Sequence, residues 1–410
     1  MTRQRIWITG RGLVTPIGSN LDEFADALDT GRSGLKGHAA DAKVGLAPYV
    51  TAPVTTDIAQ GRGWPVTLQS LLDRAAMLGL AAAQSAWAEA GLPPQAPVPE
   101  RAALAWGTGM GGAGTMEVAY SEMLLTERKR VHPYSVVRGM VNASAAHIAM
   151  WHAIRGPVMP YSNACASSAQ AIGEAMYLLR SGRADVAIAG GCEALLVGGV
   201  IRAWQAMGVL AKPDPSHPEQ SCRPFDSKRG GLVLGEGAGA IVLETEAHAR
   251  ARGARPIAEL AGYGLSCGAT HISRPDEAGQ VRAMRAALDD AGLAPHEVGH
   301  VNAHGTGTDV GDAVEAGSIA VAFGSARPLV NATKALHGHL MGAGGAVELI
   351  AALAALERRS VPPTAHVRDT DCEARIDLVR HSARVLDSDA VMSNSFAFGG
   401  TNVVLVARRA

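Results

Sequence analysis

Three things are scarce in this chain. Cysteine is the first: five in 410 residues, at positions 165, 192, 222, 267 and 372, with no CxxC pair. An odd, unpatterned set fits reduced thiols in a cytoplasm better than a disulfide framework. Charge imbalance is the second. Lys and Arg number 37 against 38 Asp and Glu, a formal net charge of −1, so no global field draws the chain to nucleic acid or to a membrane surface. Long apolar runs are the third. None approaches the roughly 20 residues needed to span a bilayer. The apolar part of the N-terminal stretch, Ile6-Trp7-Ile8, is too short for a signal-peptide core and reads as a first strand. What is abundant is ordinary globular material: 47% hydrophobic residues, 18% charged, and 48 glycines that imply many tight turns.

Apolar periodicity alternates between strand and helix along the whole length. A strand begins near residue 5 and a helix covers 21–31. Residues 35–66 are irregular and read as a surface insertion. A helix over 69–91, a strand at 101–106, a helix at 141–153, a strand at 185–189, a helix at 196–211 and a strand at 240–243 follow. Then the pattern restarts: strand 257–265, helix 278–291, strand 298–303, helix 313–323, strand 328–333, helix 340–357, and a closing antiparallel pair at 390–393 and 402–407. This predicts α/β layers in two similar halves, residues 1–250 and 251–410. The helix after Cys165 and the helix after His339 fall in matching register. That would set Cys165 and His339 about a pseudo-twofold axis.

Four stretches carry chemistry. In Asn163-Ala164-Cys165-Ala166-Ser167-Ser168, a thiol among small residues stands at a helix start, where unpaired N–H groups favour the thiolate; an inert buried cysteine is the alternative. His304 follows an apolar strand and precedes Gly305-Thr306-Gly307-Thr308, so it faces a cleft. Lys334 precedes His337-Gly338-His339, and Asn394 to Asn402 is a polar, glycine-rich turn between apolar strands. The histidines could be structural, or with each other a metal set, but no carboxylate or cysteine lies beside the pair at ligand spacing. A thiol, histidines and a lysine fit covalent acyl chemistry better. Gly107-Thr108-Gly109-Met110-Gly111-Gly112 satisfies a dinucleotide expression. The acid expected about 20 residues on is only Glu127, in a loop, so a tight turn is the better reading.

With these residues in view, the chain resembles the elongating β-ketoacyl-acyl-carrier-protein synthases, nearest to the KAS II group and the type II polyketide ketosynthases. The resemblance runs over essentially the whole length. It includes Arg223-Pro224-Phe225-Asp226, Gly235-Glu236-Gly237-Ala238-Gly239, His304 to Thr308, Gly338-His339-Leu340 and Asn394 to Asn402. It implies a thiolase-like fold with duplicated halves in five α/β/α/β/α layers, and a decarboxylative Claisen condensation in fatty-acid, polyketide or polyene synthesis. Cys165 would accept the acyl chain, and His304 and His339 would hold the malonyl thioester carbonyl, His304 also helping to activate the leaving bicarbonate or water. Lys334 and Glu348 would organise the histidines, and the amides of Cys165 and Phe398 would form an oxyanion hole. Thr306 and Thr308 would hold the phosphopantetheine arm. Phe398 would gate the acyl pocket, with Met110 and Phe396 also at the substrate, and His337 would be structural. The resemblance implies no cofactor and no metal, since the arm belongs to the acyl carrier protein. Partners would be that carrier protein and a second copy or a related ketosynthase-like chain. The helix at 69–91 lacks the basic cluster that fatty-acid members use for docking. Arg128, Lys129, Arg130, Arg202 and Lys212 are the remaining candidates. Asn163 stands where Thr or Ser is usual, and Ala397 where Gly is common. Three rivals remain: a non-catalytic chain-length partner, which would lack the cysteine; a thiolase or initiating synthase, which would use another third residue or a second cysteine; and a metal-dependent hydrolase.

Overall fold

In a computed structural model that describes residues 4–127 and 131–410, the main elements run in chain order as follows. They are β1 Ile6–Val14, α1 Arg74–Glu89, β2 Ala102–Gly107, α2 Ala143–Trp151, β3 Val158–Tyr161, α3 Ser167–Arg180, β4 Val186–Glu193 and β5 Gly237–Thr245. Then come β6 Ala258–Cys267, α4 Glu277–Ala291, β7 Val298–Asn302, α5 Asp309–Phe323, β8 Leu329–Asn331, α6 Gly344–Arg358, β9 Asp377–Leu378, β10 Ala390–Phe396 and β11 Thr401–Arg408. The second series repeats the first, with β9 added. The strands form one mixed sheet in the order β9-β8-β7-β10-β11-β6-β1-β5-β4-β2-β3. Each arm has the same pairing from the middle outward: antiparallel, antiparallel, parallel, parallel. The arms meet at β1 and β6 through two residue pairs, Trp7 with Glu259 and Ile8 with Ala258.

The packing gives five layers. Helices α3 and α6 lie in the centre, where Ile172, Met176, Val347, Ile350 and Leu353 pack with strand residues from both arms. Outside one arm, Leu78 and Trp87 of α1 and Ile148 of α2 cover Leu104, Ile188 and Val242. Outside the other, Met284 of α4 and Ile319 of α5 cover Val301, Met392 and Val404. Strands buried on both faces read as continuous apolar runs, which is why the sequence shows them without alternation. The duplication extends to single glycines. A Cβ on Gly12 of β1 would sit 2.2 Å from the Ala82 carbonyl of α1, and one on Gly264 of β6 would sit 2.0 Å from the Ala283 carbonyl of α4. At these glycines each first strand therefore meets its covering helix backbone to backbone.

Several expectations are corrected. Residues 35–66 are not a mere surface insertion: Lys36–His38 and Tyr49–Ala52 pair with each other and with Leu234–Gly235 in a three-stranded sheet, and Val50, Ala52 and Trp64 are buried. These strands are too short for a periodic signal. The helix expected from 69 begins at Arg74, because the Asp73 carboxylate accepts the Ala75 amide (2.8 Å) and caps it there. A helix over Ala113–Leu125 was not foreseen; its largely exposed side chains carry almost no apolar stripe. The counterpart of Cys165 is Gly342, not His339. A three-residue turn, Ala164–Ala166 or Met341–Ala343, leads directly into each central helix, and each turn opens on a left-handed residue, Ala164 (φ 45°) and Met341 (φ 45°). No helix among the described residues is long and apolar enough to cross a membrane.

Gly264→Ala is expected to cost about 2–3 kcal/mol, since the new methyl must push strand from helix. Gly292→Ala, whose Cβ meets nothing within 4 Å at φ +65°, should cost only about 1 kcal/mol. Thermal unfolding of the two variants checks this; equal losses would contradict the close strand–helix contact.

Candidate active site

Cys165 occupies the turn that opens α3, 7% exposed. The turn is pinned by Ser167, whose hydroxyl accepts the Asn163 amide (2.9 Å) and donates to the Ala164 carbonyl (2.7 Å). Asn163 itself is tied by its side chain to Gln170. Three groups surround the sulfur: Nε2 of His339 at 3.0 Å, Sδ of Met341 at 3.9 Å, and the backbone N–H of Phe398. Burial pushes the thiol up, to about 12, while Lys334 and the Phe398 amide pull the other way, as does the positive end of the 14-residue α3.

The two histidines arrive from the second half. His304 follows β7, and its backbone N–H donates to Glu315 Oε1 (2.7 Å), as that of Gly305 does to Oε2 (2.8 Å). His339 is held by its own amide on the Val233 carbonyl (2.7 Å). Their rings meet edge to face, with centroids 5.3 Å apart. Each Nδ1 faces a donor. The Met341 amide lies 3.3 Å from Nδ1 of His339, and Nζ of Lys334 lies 3.3 Å from Nδ1 of His304. A neutral imidazole that accepts at Nδ1 carries its proton at Nε2. Burial, then Lys334, holds both rings well below the usual histidine range, so they are neutral donors. Lys334 is fully buried and bonds the His304 carbonyl and Glu348. Burial raises Glu348 to about 7 against the pull of that lysine.

These groups open on a cavity of ≈ 610 Å³ whose walls include Cys165, His304, His339, Thr306, Thr308, Phe396 and Phe398. The Thr306 and Thr308 hydroxyls are 3.0 Å apart. Phe396 stands edge-on to His304 (6.1 Å), and Phe398 stacks on Trp204 at 5.9 Å and 20°. Ala397 donates its amide to Thr401 (2.8 Å), closing the glycine turn. Other expected residues lie elsewhere. Met110 is not on this cavity: it is 48% exposed and lines a separate groove with Tyr120, Ala203 and Trp204. Arg202 and Lys212 are exposed and off the cavity wall. Arg128, Lys129 and Arg130 lie outside the described residues. His337 is buried with both nitrogens engaged, on Thr333 (2.9 Å) and the Gly338 carbonyl (2.8 Å).

Sequence reasoning missed three buried carboxylates. Glu193, at the end of β4, accepts the amides of Gly109 (2.6 Å), Met110 (3.2 Å) and Gly342 (3.0 Å) and the Thr108 hydroxyl (3.1 Å). It fills, from inside the protein, the nest in which a nucleotide phosphate would sit. It also ties the glycine turn to the loop after His339. Glu315 holds the His304 turn. Asp312 accepts the amides of Phe225 (2.8 Å), Thr306 (3.0 Å) and Gly307 (3.2 Å), and burial raises it to about 7. An acid at a strand end was a usable signal for Glu193; the Asp312/Glu315 spacing on one helix face was the signal for the others. The donor atoms of Cys165, His304 and His339 all lie within 4.8 Å of one another, close enough to hold a metal ion. The charge of Lys334 on His304 and the raised thiol weigh against a dication there.

Residues 3–249 match the family model described as beta-ketoacyl synthase, N-terminal domain, and residues 257–368 the corresponding C-terminal domain. The chain is 39% identical over 416 residues to Nodulation protein E of Rhizobium sp. (strain N33), covering 99% of both. It is 34% identical over 418 residues to 3-oxoacyl-[acyl-carrier-protein] synthase 2 of Vibrio harveyi, covering 100% of this chain and 99% of the relative. Among solved structures, the ishigamide ketosynthase/chain length factor superposes with a TM-score of 0.91 at 33% identity, over 100% of both chains. The ketosynthase of the AntDE:AntF complex, a type II PKS acyl-carrier protein with its ketosynthase bound to the hexaketide, does so with 0.90 at 26%, also over 100% of both.

Glu193→Gln keeps the shape but turns an amide donor toward backbone donors. The expected loss is about 2–4 kcal/mol of stability, read as a lower thermal midpoint. An unchanged midpoint would mean that the carboxylate does not hold these turns.

Proposed function

The chain belongs to the β-ketoacyl synthase family, and we propose that it is an elongating 3-oxoacyl-[acyl-carrier-protein] synthase with Cys165 as its nucleophile. The observation that carries this is the convergence on one cavity of one thiol and two buried imidazoles, each with its Nδ1 facing a donor.

In the first half-reaction, Sγ of Cys165 attacks the acyl thioester carbonyl. A new C–S bond forms, the carrier's C–S bond breaks, and the thiol proton leaves with the departing carrier sulfur. The oxyanion is met by the amides of Cys165 and Phe398, and each such donor is worth about 100- to 1,000-fold in rate. In the second half-reaction, the malonyl thioester loses carbon dioxide, and the electron pair of the broken C–C bond is held as an enolate. Its oxygen is stabilised by the Nε2–H groups of His304 and His339. The enolate carbon then attacks the Cys165 acyl carbonyl in the same oxyanion hole, the C–S bond breaks to leave the Cys165 thiolate, and that sulfur takes a proton from water to return the thiol. Lys334 and Glu348 fix His304. Thr306 and Thr308 face the amide-bearing arm. No resident cofactor takes part.

The carrier is an acyl carrier protein, and the chain works paired with a second copy or a related ketosynthase-like chain. Supporting the pair, β3 is an edge strand, paired on one side only among the described residues, and the surface carries exposed Leu124 (72%), Leu125 (82%) and Val136 (69%). We place the protein in the cytoplasm, a reading supported by five free thiols. Likeness to the ishigamide ketosynthase/chain length factor and to a type II PKS ketosynthase bound to a hexaketide supports a specialised acyl product.

Intact-protein mass after incubation with a panel of acyl-carrier-protein thioesters tests this. One acyl group is expected on the native protein and none on Cys165→Ala. Polyunsaturated or short chains would fix a specialised product, and saturated chains alone would move it to fatty-acid elongation. No adduct with any thioester, or bound metal in the purified protein, would sink the synthase reading.

A further inference from the structure

Among the described residues, the walls of the reactive cavity carry four carboxylates, Asp276, Asp309, Asp312 and Glu315, and one cation, Arg274. Every carboxylate is engaged. Asp312 and Glu315 hold backbone amides. Asp309 lies 3.3 Å from the buried Arg229 guanidinium. Asp276 caps α4 on the Gly279 amide (2.7 Å) and lies 3.8 Å from Arg282. Arg274 is exposed and makes no hydrogen bond or ion pair among the described residues. It is the unspent charge of the cavity, at its solvent-facing end.

Its position is not arbitrary. Arg274 sits on the loop between β6 and α4, which is tied to the turn that presents Phe398. The Gly399 amide donates to the Ile272 carbonyl (2.7 Å), and the Gly268 amide donates to the Gly400 carbonyl (2.8 Å). The same cavity holds Cys165 and His304 at its buried end, with Thr306 and Thr308 on its wall. A thioester delivered on a phosphopantetheine arm has its sulfur at one end, amides in the middle and a phosphodiester anion at the other. A planar guanidinium is the side chain best matched to phosphate oxygens.

Resting on the synthase reading above, we infer that Arg274 holds the phosphate of the incoming arm at the cavity mouth. It is a substrate-binding residue that reads the arm, not the acyl chain. The acyl chain selected by the intact-mass panel is offered as its pantetheine thioester and as its 4′-phosphopantetheine thioester, and acylation of Cys165 is followed by mass. The native protein should prefer the phosphorylated arm by about tenfold, the value of one exposed charge-assisted contact. In Arg274→Ala that preference should fall to about one, and Arg274→Lys should keep part of it. Raising salt should erode the native preference, as for any exposed charge pair. A native protein with no preference, or an Arg274→Ala variant that keeps it, overturns the assignment while leaving the synthase reading intact. A native protein acylated by no thioester removes both.

Discussion

A single buried ammonium organises the reactive end of this protein. Lys334 is 0% exposed and answers to Glu348, the His304 carbonyl and Nδ1 of His304. A charge so far from water survives only when it is paired and fully hydrogen-bonded, and removing one partner would leave the other stranded. That constraint fixes the protonation of its neighbours. With a donor at Nδ1, His304 keeps its proton at Nε2, facing the cavity. The Met341 amide does the same for His339. The histidines therefore serve as neutral donors and do not double as cations, and each Nε2–H is aimed in advance at the position of the enolate oxygen.

The same device recurs with the opposite sign. Strand ends and helix starts leave backbone N–H groups without partners, and here those groups converge on buried carboxylates. Glu193 gathers the glycine turn and the loop at Gly342, Glu315 the His304 turn, and Asp312 the Thr306 turn. Loops that carry chemistry are thus held from within by side chains. Glycine at 342 is part of the arrangement: a Cβ there would fall 2.5 Å from the Gly109 amide and 2.7 Å from Glu193.

The layered α/β plan, the order of strands and helices, and Cys165, His304 and His339 as separate candidates were legible in the chain, while their meeting in one site came from the resemblance. Long apolar strands, small residues around Cys165 and strand-end histidines are local signals, and local signals survive without coordinates. What escaped was long-range. Glu193 bonds residues up to 149 positions away, and an acid looks the same in sequence whether it faces water or four donors. The short strands at 36–52 pair with each other and are joined to the rest of the fold by Leu234 and Gly235. Met110 was read as a cavity residue from a glycine turn; its backbone is indeed pinned there, but its side chain points into another groove. The duplication was visible as a self-match, yet its register needed the paired left-handed residues Ala164 and Met341 to reveal Gly342 as the partner of Cys165.

The central claim is that two neutral, Nε2-protonated imidazoles face the cavity because Lys334 and the Met341 amide occupy their Nδ1 atoms. Nitrogen-15 NMR of histidine-labelled protein, resolved by His304→Gln and His339→Gln variants, tests it most directly. The account predicts both rings as the neutral Nε2–H tautomer throughout pH 6–8. A proton at Nδ1 on either ring, or titration of either ring to imidazolium near pH 6.5, would contradict it.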